Sequence, residues 1–99
     1  MNQIERITYM ENVLDEVTKA VTDLNDSLEK YQALLPKLKE LSDYYQREWR
    51  RDFEDDEAGK LPKDLKRGVL SEDAVYNLLS ENQELLKQIE TVLNQSNIK

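Results

Sequence analysis

The 99-residue chain contains no cysteine and no histidine. Without cysteine there is no disulfide framework, no thiolate nucleophile and no sulfur-based zinc site. Without histidine there is no Ser-His or Cys-His pair, and the usual imidazole metal ligands are missing. Glycine and proline occur twice each, too few for the many turns of a sheet protein. Long apolar runs are lacking as well. Nothing approaches the ~18 apolar residues of a membrane span, and the opening MNQIERITYMEN lacks the basic-then-apolar layout of a secretory leader. We therefore expect a cytoplasmic protein with no cofactor, no bound metal and no membrane partner.

What is abundant is charge. Charged residues make up 35% of the chain and the net charge is −7. Residues 1–46 hold five Lys/Arg against nine Asp/Glu, and residues 68–99 hold two against five. Residues 47–67 hold seven of each and are neutral. An acidic surface disfavours direct nucleic-acid binding. It also raises the alternative of an acidic nucleic-acid mimic that occupies a DNA-binding protein.

The apolar residues are regularly placed. Ile7, Met10, Leu14, Val17, Val21, Leu24, Leu28, Tyr31, Leu35 and Leu38 alternate in steps of three and four, the signature of a long amphipathic helix of coiled-coil type. A flanking row of Val13, Ala20, Leu34 and Leu41 widens the stripe toward that of a helical bundle. Asn2 followed by Glu5 resembles a capping box. Asp15–Lys19 and Asp26–Lys30 have the spacing of supporting ion pairs. Pro36 removes an N–H and disfavours helix at Leu35, so a kink or break is expected there. A true reversal at Pro36 would instead give a compact three-helix bundle.

Beyond the acidic run Glu54–Glu57, the stretch LPKDLKRGVLSEDAVYNLL holds a joint. Pro62 is placed to start a short helical turn through Arg67, and Gly68 to end it in a left-handed conformation. Ser71 suits the N-cap of a last helix, with Glu72 and Asp73 favoured by its dipole and Leu70 and Val75 spaced as a hydrophobic staple. The expected architecture is all-α in a single domain, residues 1–99. Helices span about 2–34, 36–52 and 71–94, with an acidic linker over 53–70 and an antiparallel return helix forming a hairpin or three-helix bundle. A first helix of about 50 Å outruns a last helix of about 35 Å, which would leave the stripe from Ile7 to Leu24 uncovered.

The run YYQREWRRDFEDDEAGKLPKDLKRGVLSEDAVYNLL, with LLPKLKELSDYY before it, resembles the family known as domain of unknown function 4298. The resemblance rests most on the Trp49-to-Asp52 cluster, LPKDLKRG and GVLSED. It implies a small, all-helical bacterial protein and brings no catalytic residues.

Two patterns could carry chemistry. Asp52, Glu54, Asp56 and Glu57 offer oxygen atoms to a hard cation. In an EF-hand alignment, however, Glu57 stands where the loop glycine belongs and Lys63 where the closing Glu belongs; a solvated acidic loop is expected. Tyr44, Tyr45, Trp49 and Phe53 alternate with arginines, as in surfaces that stack single-stranded nucleic acid. Yet Tyr45, Trp49 and Phe53 lie four apart on one helical stripe, where aromatics form core, and Asp43 is spaced to pair with Arg47. Carboxylate catalysis needs a deep concave site, which two or three helices rarely enclose. The expectation is a non-enzymatic protein–protein interaction or self-association module, partnered by itself as a homodimer or by an unidentified protein. Its candidate association face is Ile7, Met10, Leu14, Val17, Val21 and Leu24. Its candidate structured joint, or partner surface, is Tyr45, Trp49, Asp52, Asp64, Arg67 and Gly68, with Asp64 and Arg67 tying the joint to the second helix.

Overall fold

The computed structural model describes residues 1–96. The chain is all-α: a long α1 (Gln3–Arg47), a short α2 (Trp49–Glu57), a one-turn 3₁₀ segment η1 (Gly68–Leu70) and α3 (Ala74–Gln95). It divides into two units, Met1–Lys37 and Leu38–Lys99.

The first unit is formed by α1 alone. Its start is the expected capping box: the Glu5 N–H donates to Asn2 Oδ1 at 2.8 Å, and the Asn2 N–H reaches Glu5 Oε1 at 3.5 Å. The expected pairs of Lys19 with Asp15 and of Lys30 with Asp26 do not form. Lys19 turns the other way and bonds Asp23 at 2.8 Å. Both partners are exposed, so rotamer freedom rather than burial decides the choice.

No break occurs at Pro36, which lies inside α1. The proline deletes one backbone bond, but its neighbours Ala33, Leu34, Lys37, Leu38, Lys39 and Glu40 are strong helix formers, and none of them offers a turn conformation. The irregularity falls at Glu48 instead. Even there the backbone stays right-handed (φ −98°, ψ −19°). The Glu48 N–H donates to the Tyr44 carbonyl and its own carbonyl accepts from Asp52, so α2 follows α1 after a single irregular residue.

In the second unit α2 extends to Glu57 and takes the acidic run into the helix, not into the expected loop. Gly59 ends it. With φ +73°, Gly59 places its N–H on the Asp56 carbonyl while Lys60 N–H reaches Asp55, both at 3.0 Å. This is the two-bond Schellman ending. Gly68, expected to be the left-handed residue, is not; it opens η1. Pro62 starts a hydrogen-bonded turn closed by Leu65 N–H at 3.3 Å, short of the expected helical turn.

The N-cap of α3 is Asp73 and not the expected Ser71, which lies two residues earlier and accepts the Ala74 N–H on its Oγ at 3.2 Å. Regular α-helix begins only at Ala74, and it ends at Gln95. The core of this unit is small: Trp49, Leu70 and Val75 are buried, one each from α2, η1 and α3. Among the described residues η1 packs against both α2 and α3, so α3 is joined to the unit by way of η1.

Candidate functional site: an aromatic joint and an open apolar row

The joint is built on one helical stripe. Tyr45, Trp49 and Phe53 recur every four residues, which puts their rings in line. Trp49 lies 5.3 Å from Tyr45 in a tilted arrangement and 5.0 Å from Phe53 in a stacked one. The indole is buried, so its N–H needs a partner. It finds one 20 residues along the chain, donating to the Val69 carbonyl at 2.7 Å. That bond seats η1 on α2 and brings Leu70 and Val75 into the core.

Four acids close α2, at the end where the helix dipole disfavours negative charge, and no basic residue lies in that last turn. Arg67 offsets this from outside the helix. Its Nε donates to Asp56 Oδ1 at 3.0 Å, while its two terminal nitrogens donate to the Lys63 carbonyl at 3.0 Å and the Pro62 carbonyl at 2.6 Å. One guanidinium thus ties the loop to itself and to α2. Lys60 approaches Asp55 at 3.8 Å. Asp64, placed in the same tie by its sequence position, is exposed and takes no part in it. Asp43 pairs with Lys39 at 3.5 Å and not with Arg47.

Asp52 takes a role its position did not suggest: Oδ2 accepts a 2.7 Å hydrogen bond from the Tyr44 hydroxyl. Tyr44 is pushed up to about 12, first by burial, then by the bond to Asp52, and then by the negative charges of Asp52 and Glu48. Its proton is held in this bond, so the phenol is no base at neutral pH. The acids of the cluster are therefore occupied in part: Asp52 by Tyr44, Asp56 by Arg67 and Asp55 by Lys60. Among the described residues no group of three or more acids gathers to hold a metal ion.

The candidate association face lies elsewhere. Ile7, Met10, Leu14, Val17, Val21 and Leu24 are each 53–65% exposed, and α1 contains no buried residue. The apolar face of α3 is open too, at Leu78, Leu85, Ile89 and Val92 among others. No helix among the described residues is long and apolar enough to cross a membrane.

Compared with known protein families, residues 7–92 match the family described as domain of unknown function (DUF4298). The chain belongs to that family. The match runs from the first residue of the apolar row into the last turns of α3, so the DUF4298 region holds both the row and the joint. No curated protein and no solved structure matches the chain.

Proposed function

We propose that this DUF4298 protein is a non-enzymatic, cytoplasmic interaction module that docks another helix on the apolar row of α1, with self-association as the simplest use. One observation carries the reading: the 3-4 row from Ile7 to Leu24 is more than half exposed along its whole length. In proteins most helical stability comes from packing an amphipathic face, and an unbroken wet row of this size marks an interaction surface. Nine aliphatic or methionine side chains, Tyr9 aside, lie exposed from Ile7 to Leu35. At on the order of 100 Å² each they offer about 900 Å², against the ~800 Å² per partner of a standard interface. The joint serves as the fastener of the second unit, since its aromatic rings and Arg67 are spent on internal contacts.

Sedimentation equilibrium with the double variant Leu14→Glu, Val21→Glu tests this. The wild type is expected to associate at micromolar concentration. The variant should lose affinity about a hundredfold or more, because each buried aliphatic chain is worth roughly 1.5–3 kcal/mol. Trp49 is the sole tryptophan and reports the second unit independently; its emission should not change. A wild type that stays monomeric at high micromolar concentration and captures no helical partner would remove the reading. Salt-sensitive capture of a basic DNA-binding protein would favour the acidic mimic in its place.

A further inference from the structure

We infer that the occupant of the α1 row is the same row of a second copy, running antiparallel, with the two-fold axis beside Lys19. This rests on the docking role proposed above and adds the partner and its orientation.

With Ile7 and Met10 as the first two seam positions, the seam has two flanks. One flank carries Val13, Ala20, Ser27 and Leu34; the other carries Glu11, Thr18, Asn25 and Gln32. From Val13 onward the first is apolar or small, with Arg6 one heptad before it, and from Glu11 onward the second is polar. A two-fold axis parallel to the helices sets each flank against the opposite flank of the partner. A two-fold axis across them sets each flank against itself, since the contact is isologous. Parallel packing would thus press Val13 and Ala20 onto Thr18 and Asn25 of the other copy. It would gain one ion pair, Arg6 with Glu11, and an exposed pair contributes little. Antiparallel packing joins apolar flank to apolar flank and polar to polar. Flanking positions decide helix orientation in coiled coils in this way.

The seam residues then select the register. Placing residue 19 at the axis sets Leu14 opposite Leu24 and Val17 opposite Val21, so that side chains of like size fill the two central layers, with Met10 opposite Leu28 and Ile7 opposite Tyr31 beyond them. Ala20 meets Ala20 across the axis, where small side chains let the helices approach. All these positions lie within Met1–Lys37 and, apart from the half-buried Val13, are exposed in the single chain.

The chain has no cysteine, so spin labels can be placed singly by Thr8→Cys and Lys19→Cys on the outward face. Antiparallel pairing in this register predicts about 35–40 Å between Thr8 labels, from ~22 residues of axial offset, and about 20 Å between Lys19 labels. Parallel pairing predicts about 20 Å at both and would overturn the inference while leaving the docking role intact. No coupling at either label, with monomeric sedimentation, would overturn self-association itself. A charge swap gives a second readout. Ala20→Glu and Ala20→Lys chains should each dimerise several-fold more weakly, through like charges at the axis, and should recover when mixed. Absence of recovery refutes the contact of Ala20 with its own copy.

Discussion

Replacing each of the two glycines by alanine should move stability in opposite directions. At Gly59 the backbone has φ +73° and an added Cβ would meet nothing within 4 Å. The cost is thus purely conformational, about 1–2 kcal/mol for an L-residue in the left-handed region. The unfolded chain becomes less flexible, which returns about 0.4–1 kcal/mol, so Gly59→Ala should destabilise by about 0.5–1.5 kcal/mol net. Gly68 begins η1 with φ outside the left-handed range, and its Cβ position is also open. Gly68→Ala should therefore keep only the favourable term and stabilise by about 0.4–1 kcal/mol. Urea unfolding followed by Trp49 emission reads both, because the indole sits on the Val69 carbonyl one residue from Gly68. At this size each kcal/mol corresponds to about 4–8 °C in Tm. The reverse order, Gly68→Ala destabilising and Gly59→Ala neutral, would refute the placement of the left-handed residue and restore the reading that local sequence suggests.

Two other perturbations follow from the joint. Arg67→Ala should destabilise the second unit by about 1–2 kcal/mol, the worth of a charge-assisted bond discounted for partial exposure, while Asp64→Ala should leave the midpoint of thermal unfolding unchanged. If both leave that midpoint unchanged but abolish partner binding, the joint is a docking site and not a fastener. Tyr44 binds its proton more tightly folded than unfolded, its value rising from 10.0 to about 12. Its contribution to stability is therefore full below pH 10 and lost as pH rises toward 12. Absorbance titration of wild type and Tyr44→Phe should differ by one late phenol ionisation, and loss of that step at pH 10 or below in the wild type would contradict the bond to Asp52.

Where the chemistry is local, the chain could be read directly. Asn2 with Glu5, and Ser71 with the backbone three residues on, need nothing beyond their own helix ends. The 3-4 spacing of the apolar row predicts the helix that α1 forms, because that spacing is set by the helical repeat. Arg67 is legible as a tie to the second helix, though no spacing rule marks Asp56 as its partner. Two local signals compete at the glycines. Gly59 and Gly68 both follow charged stretches, and Pro62 makes the second resemble the end of a helical turn, whereas the left-handed residue is Gly59. Yet Ala58-Gly59-Lys60 directly after an amphipathic run is itself a helix-stop signal. The break expected at Pro36 does not occur, because strong helix formers on both sides outweigh the proline's intrinsic penalty. The bond between Trp49 and Val69 spans 20 residues and could not be seen from spacing, and neither could the engagement of Asp52 by Tyr44 across two helical turns.

The ties of the joint also bear on the order of events in folding. Its hydrogen bonds link residues 8, 11 and 20 apart in sequence, so little loop entropy opposes their formation. Chains whose contacts are this local search few conformations and fold fast. The joint should therefore mature within a single newly made chain, at a rate independent of concentration. Under the pairing proposed above, covering of the α1 row by a second copy would come later and would scale with the amount of protein present.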